Sequence, residues 1–396
     1  MRVAIVQEQV DVRRGGAETS TLEMARHLAG LGLDVTVVYG EARRHEGTKA
    51  RSEEGVSFHY VPVHGGSRMG RTVRFVAEAD RFCREAGFDV VHAVTPCFSC
   101  DVYQPRGGTY VETVTRSVAR AGGPLVRLIK RMGRRFNRRQ RLLTLAEREI
   151  LGGANPPYVA CVSEYVRRQV ESAFGGFPKE RNRVVFNGVD IEPLTPEAVG
   201  REREMIRRRL EVDERTDVVL FVAHNFKLKG LAELIRAMGE LRDSDWLLAV
   251  VGRGKARPYR RVADRLRVRG RVEFLGQVED IRSFYYGADV LAHPTWYDPC
   301  SRVVLEALVC GLPVVTTRYN GAAEAIEDGR HGVVVDSPRD VAALAAAIAQ
   351  CLRPEVRADC RAAAPEKREL LSMARHAREL KKLYEDVLAE KTSGLG

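Results

Sequence analysis

The sequence predicts an α/β protein of two doubly wound domains, each a parallel sheet with helices on both faces. Three observations carry that reading. Short apolar runs alternate with amphipathic segments from end to end. The 396 residues exceed one ordinary domain, and an apolar share of 44% fills two cores.

In the first half RVAIVQ, DVTVVYG, VSFHYVP, DVVHAV, YVACVS and RVVFNG read as strands. In the second half VVLFVAH, LLAVVG, VEFLG, VLAHP, PVVTT and GVVVD do so. Glu18 to Leu31 and Leu231 to Leu241 have helical spacing. The stretch NGVDIEPLTPEAVG, Asn187 to Gly200, is rich in Gly and Pro and lacks periodicity, which marks a boundary. The expected organisation is a first domain over 1–190, a second over 191–373, and a charged-faced helix over 374–396 packing back toward the first. Doubly wound sheets bind ligands at the carboxyl ends of their strands. With two such domains the natural site is the cleft between them.

No apolar run approaches the roughly 20 residues a membrane span needs. Met1 to Val6 leads straight into a strand pattern without a signal peptide, so a cytoplasmic location is expected. Eight scattered cysteines suit reduced thiols. Cys97 and Cys100 form a lone CxxC with no second ligand pair for zinc, so chance spacing is the plainer reading. The net charge of +11 is uneven. From Thr113 to Ala146 there is no Asp or Glu, while Arg116, Arg120, Arg127, Lys130, Arg131, Arg134, Arg135, Arg138, Arg139 and Arg141 crowd the same window. Such a patch implies an anionic partner.

The richest stretch runs from Asp298 to Glu306. A buried strand, VLAHP, precedes the first carboxylate, and Arg302 to Leu308 has helical spacing without a breaker. Asp298 should therefore lie on a loop at a strand's carboxyl end, with Glu306 about two turns inside the next helix. Loop amides and a helix N-terminus suit phosphate, and carboxylates suit sugar hydroxyls.

Other segments are more ambiguous. Gly15 and Gly16, in RGGAE, follow the first strand and open a helix, where backbone can approach a ligand. Glu18 there reads equally as a ligand contact or a helix-start charge. In FVAHNFKLKGL, Lys229 sits where a cation would neutralise a diphosphate, whereas Lys227 reads as a solvated lysine. Asp243-Ser244-Asp245 has a metal-binding spacing but sits at the amino end of a strand, so it reads as a surface turn and no metal is assigned. His92 ends a strand and reads more readily as packed than as catalytic; Asp101 is open between a cleft role and a structural one. In PLVRLIKRMGRRF, Leu125, Leu128, Ile129, Met132 and Phe136 form an apolar stripe beside dense cations, the pattern of a helix lying on an anionic membrane. Nucleic acid competes less well, because stacking aromatics are sparse and no module motif appears. A solvated basic helix is the third alternative.

The pieces GGAE, NGVD, FVAHNFKLKG, VVGRG, VEFLGQV and DPCSRVVLEALVCGLPVVTT, in that order, resemble retaining glycosyltransferases of family 4. Within that family the chain is most similar to lipopolysaccharide core glucosyltransferases, and the likeness covers nearly its whole length. The resemblance implies the GT-B fold, two Rossmann-like domains facing a cleft. It implies that Glu306 binds ribose hydroxyls and Asp298 the donor sugar. Cys300, Ser301, Arg302 and Val303 would offer backbone amides to sugar and diphosphate, and Lys229 would hold the departing diphosphate. Gly15 and Gly16 would approach from the first domain, and Asp101 would serve near the reacting carbon. Arg127, Lys130, Arg131, Arg134, Arg135 and Arg138 would meet the membrane and acceptor. No metal or other cofactor is implied.

Four positions depart from the family pattern. Asp298 replaces a longer Glu, Ser301 a Gly, and His224 an Arg beside the phosphates. No His stands around Gln104 to Arg106. The expected activity is transfer of a hexose, glucose from a UDP-sugar, to a glycolipid such as lipopolysaccharide core, on the inner face of the cytoplasmic membrane and without nucleic acid. Another GT-B enzyme, an epimerase or a soluble-acceptor synthase, is the alternative.

Overall fold

The structure, a computed structural model, describes residues 1–10, 16–40, 55–63, 66–120, 123 and 138–393. It divides into two units: Met1–Gly188 with Ser372–Gly396, and Val189–Leu371.

Among the described residues the first unit holds seven strands: β1 Arg2–Val6, β2 Asp34–Tyr39, β3 Val56–Tyr60, β4 Val90–Ala93, β5 Val102–Tyr103, β6 Tyr158–Cys161 and β7 Asn182–Val184. Their order is β3-β2-β1-β4-β5-β6-β7, and all neighbours are parallel. Strand β5 was not expected from the sequence. Its two residues are too short to show a period.

The helix Met373–Ser393 belongs to this unit's core. Met373, Ala377, Leu380, Tyr384 and Val387 recur at helical spacing and pack with Val3, Ile5, Val35, Met24 and Leu28. Two buried histidines are fixed along it. His92, on β4, brings Nδ1 within 2.6 Å of the Tyr384 hydroxyl. Burial first, then the nearby Arg106 charge, push His92 down to about 3. His376 has Nδ1 2.8 Å from the Phe186 carbonyl and Nε2 3.2 Å from Arg106 Nη2. Its proton must therefore sit on Nδ1, donating to the carbonyl, while Nε2 accepts from the guanidinium. Burial and Arg106 hold it well below the ordinary histidine range.

The second unit holds β8 Asp217–Val222, β9 Trp246–Val251, β10 Val272–Gly276, β11 Val290–His293, β12 Val314–Thr317 and β13 Gly332–Val335. The order is β10-β9-β8-β11-β12-β13, again wholly parallel. The helix Leu231–Glu240 turns Leu231, Leu234, Ile235 and Met238 onto Phe221, Leu248 and Val250.

At the amino edge of this sheet a single buried carboxylate gathers three arginines. Asp289 Oδ2 accepts from the Val218 amide (2.9 Å) and Arg207 Nη1 (3.1 Å). Its Oδ1 accepts from Arg203 Nη2 and Arg357 Nη1, each at 3.0 Å. Arg203 and Arg207 lie on the helix Pro196–Arg209 and Arg357 on Pro354–Leu370, so one side chain ties two helices to the strand edge. Burial works against the Asp289 charge, but the amide and the arginines outweigh it and lower its pKa.

Two outcomes are expected. Asp289→Ala leaves three guanidinium groups without their common anion and should destabilise the second unit by about 3–5 kcal/mol, read from urea unfolding. In the first unit, unfolded histidines take up protons below about pH 6.5 that the folded His92 and His376 refuse, so stability is full above that pH and falls as acid is added toward pH 3. The slope of melting temperature against pH should be shallower in His92→Asn, which retains a hydrogen-bonding side chain that does not titrate there.

Candidate active site

The chain winds outward from β8 through β9 to β10, then returns to lay β11 on the other side of β8. That reversal is the switch point where doubly wound sheets open a crevice at their carboxyl edge. Two loops leave it, 223–230 after β8 and 294–301 after β11.

Backbone contacts stitch these loops together. The Trp296 amide donates to Leu228 O at 2.9 Å, and the Thr295 hydroxyl reaches the same carbonyl at 3.3 Å. Gly230 has φ +79°, and a Cβ there would stand 2.1 Å from the Pro294 carbonyl oxygen. Gly252, just past β9 with φ +136°, would put a Cβ 1.8 Å from Ala223 O. Only glycine permits both the left-handed backbone and the close approach.

Lys229 therefore projects at Asp298. Its ammonium donates to Asp298 Oδ2 and reaches the Tyr297 carbonyl at 3.4 Å. His293, fully buried at the end of β11, places Nε2 3.6 Å from the same carboxylate oxygen and 3.5 Å from Ser301 Oγ. Burial pushes the Asp298 pKa up, but the Lys229 charge and the His293 hydrogen bond overcome it and hold the carboxyl well below its usual range. For His293 burial dominates and lowers the pKa, against the pull of Asp298. The site thus holds a desolvated lysine–carboxylate pair braced by a neutral imidazole.

The loop bearing Asp298 is anchored from behind. The Asp298 amide donates to Tyr319 O and the Gly321 amide to Asp298 O, both at 2.9 Å. Asn320 Oδ1 accepts from the Ser301 amide at 3.1 Å, so that amide is engaged within the protein. The helix Arg302–Val309 starts here, and its ladder begins with Leu305 N donating to Ser301 O at 3.2 Å. The helix starts at Arg302 as expected, but Glu306 is only four residues further on and so lies about one turn in rather than two. Its Oε2 accepts from the Tyr285 hydroxyl (2.7 Å) and its Oε1 from Arg302 Nε (3.3 Å) and Nη2 (3.2 Å). Cys300 is buried and Val303 partly so. His224, on the same loop as Lys229, is exposed, yet partial desolvation of its ring and then the charge of Arg253 lower its pKa.

Sequence reading missed His293, Tyr285 and Asn320. A histidine ending the apolar run VLAHP was the available signal for the first. The other two reach the site from remote elements.

In the first unit Gly15 lies outside the described residues, and Gly16 opens the helix Gly16–Gly30 that follows β1. Asp101 requires a correction. It precedes β5 and so stands at the amino edge of the sheet, where Oδ2 accepts from the Val91 amide (2.8 Å) and Oδ1 pairs with Lys391 Nζ (2.7 Å). It fastens the helix Met373–Ser393 to the sheet edge and belongs to the scaffold. His92 is likewise a packed side chain. Cys97, buried against Asp80 and Ser99, has its thiol pushed up to about 12 by burial. Asp243-Ser244-Asp245 forms the turn before β9, with Asp245 accepting from the Thr216 hydroxyl at 2.9 Å.

Arg127, Lys130, Arg131, Arg134 and Arg135 lie outside the described residues; Arg138 is the first residue of the helix Arg138–Gly152. Two carboxylates fasten that helix. Glu8, past the end of β1, pairs with Arg139 at 2.7 Å. Glu147, fully buried and pushed up to about 7 by burial, accepts from the Tyr103 hydroxyl (3.1 Å) and the Tyr110 amide (2.8 Å). Among the described residues no helix is long and apolar enough to cross a membrane, and no three His, Cys, Asp or Glu residues are grouped to hold a metal.

Residues 14–193 match the family model "Glycosyltransferase Family 4" and residues 202–367 match "Glycosyl transferases group 1". The chain is similar to the lipopolysaccharide glucosyltransferase WaaG of Escherichia coli K12, with 27% identity over 327 residues and 82% of each chain covered. The fold superposes on a WaaG crystal structure with a TM-score of 0.75 at 24% identity, over 97% of this chain and 99% of that one. It also superposes on HepE of Anabaena, solved in complex with UDP and glucose, with a TM-score of 0.69 at 19% identity, over 97% and 99%.

Gly230→Ala drives a methyl into Pro294 O and forces a left-handed residue. It should cost about 1–3 kcal/mol and loosen the Lys229 loop, measured as a lowered melting temperature with faster amide exchange over 223–230.

Proposed function

We propose, from the premise that the chain is a GT-B glycosyltransferase with a family 4 domain followed by a group 1 domain, that it moves glucose from UDP-glucose to a lipid-linked glycan with retention of configuration. The acceptor class is the lipopolysaccharide core. The observation that carries this reading is the meeting of Lys229 and Asp298, 69 positions apart, at the β8–β11 switch point. Similarity to WaaG across most of both chains supports the acceptor, and the UDP and glucose held by HepE support the donor.

In this reading the bond from the anomeric carbon to the diphosphate oxygen breaks, and the acceptor oxygen bonds to the same face of that carbon. The acceptor's proton passes to the departing phosphate oxygen, so no protein nucleophile is needed. Negative charge grows on the diphosphate. Lys229 and the first-turn amides of the helix Arg302–Val309 stabilise it. Asp298, kept ionised by Lys229 and His293, orients the lysine and accepts from donor-sugar hydroxyls. Glu306, steered by Tyr285, accepts from the ribose hydroxyls. The basic segment 113–146 brings the enzyme to the cytoplasmic face of an anionic membrane, where its acceptor lies.

The test begins with a panel of UDP-, GDP- and ADP-sugars. UDP-glucose should raise the melting temperature most, and NMR of the product should report the donor's own anomeric configuration. Lys229→Ala and Asp298→Ala should each lower kcat/KM by about 100-fold or more. Transfer that survives both substitutions at full rate would overturn the assignment of the site.

A further inference from the structure

We propose that the second unit carries its own docking face for an anionic lipid surface, centred on the helix Arg257–Leu266. The stretch from Arg253 to Arg271 holds Arg253, Lys255, Arg257, Arg260, Arg261, Arg265, Arg267, Arg269 and Arg271 against one carboxylate, Asp264. It is separate in sequence from the basic segment 113–146.

The fold sorts these residues by side. Ala263 is fully buried, and Tyr259, Val262 and Leu266 pack with it against the sheet that carries Val250 and Val272. Arg257, Arg261 and Arg265, four apart in register, therefore line the outward side, and all three are exposed. Lys255 before the helix and Arg267 after it extend the row, and both are exposed. None of these five has a carboxylate partner among the described residues. The one acid is engaged elsewhere: Asp264 pairs with Arg269 at 2.9 Å. A row of unneutralised guanidinium groups along a convex helix side creates a field that only a dense array of anions satisfies.

The surroundings favour lipid headgroups over single-stranded nucleic acid, and the test below separates duplexes. Surfaces that hold single-stranded nucleic acid use exposed rings on which bases stack. Here the rings are covered. Arg260 lies over Phe274 at 5.4 Å, Arg271 over Trp246 at 5.3 Å, and Tyr259 packs edge-on against Phe226 at 5.7 Å. The exposed large apolar side chains of the described residues, Phe98 and Leu145 among them, lie outside 253–271. Contact is therefore with headgroup phosphates and without insertion, and it must weaken as salt screens it.

The test uses the full chain, first with Arg127, Lys130, Arg131, Arg134, Arg135 and Arg138 all changed to Gln so that the other basic segment is silenced. This protein should still sediment with vesicles containing about 30% phosphatidylglycerol at about 0.05 M salt, and not with pure phosphatidylcholine. Adding Arg257→Gln, Arg261→Gln, Arg265→Gln and Arg267→Gln should lower its vesicle partitioning on the order of 100-fold. The melting temperature should stay the same, because those side chains bear on no core contact. Equal partitioning of the two proteins overturns the proposal, as does a first protein that already fails to bind. Tight binding of duplex DNA or RNA at about 0.15 M salt, where the vesicles are not bound, overturns it in favour of nucleic acid.

Discussion

The pairing of β11 with β8 is the constraint on which the site depends. Two loops leaving neighbouring strands in one direction must diverge or interlock. Here they interlock, because Gly230 lets the backbone come against Pro294 and Gly252 lets the next loop come against Ala223. Burying an ammonium and a carboxylate is unfavourable unless they meet in good geometry. Strand order supplies that geometry, so Lys229 and Asp298 are positioned by the sheet itself. His293 extends the same logic: it ends the strand that launches the Asp298 loop, and its side chain reaches both Asp298 and Ser301.

The fold class was legible because a parallel sheet writes itself as repeated apolar runs between amphipathic helices. Lys229 and Asp298 were legible for a related reason, since each follows such a run by a few residues. Asp101 misled for want of one short strand. With β5 unseen, it reads as part of the loop leaving β4; with β5 starting at Val102, it is the residue entering a strand and faces the wrong edge. Tyr285 and Asn320 carry no local signature. Their roles arise when separate elements approach the carboxylates, and no spacing rule encodes that approach. Asp289 with Arg203, Arg207 and Arg357 is the same case on the amino edge.

Charge was legible in amount and less so in arrangement. The segment 113–146 stands out because it contains no acid at all. The run 253–271 is more densely basic, but it is shorter and Asp264 interrupts it, and it was not singled out from the sequence. Once the helix is docked, its apolar side is sealed by Ala263 and Leu266, and the cations are left on the outside. Enrichment of cations thus belongs to the sequence of both units, whereas at the site Lys229 is matched to Asp298 and Arg302 to Glu306.

The helix Met373–Ser393 has a bearing on biogenesis. Its Leu380, Tyr384 and Val387 are structural members of a core whose remaining parts lie before Gly188. A ribosome makes those parts first, then the entire second unit, and only then the missing wall. Domains ordinarily fold in order of emergence. In this chain the core around Val3, Met24 and Leu28 is complete only once 373–393 has emerged, after the whole of the second unit.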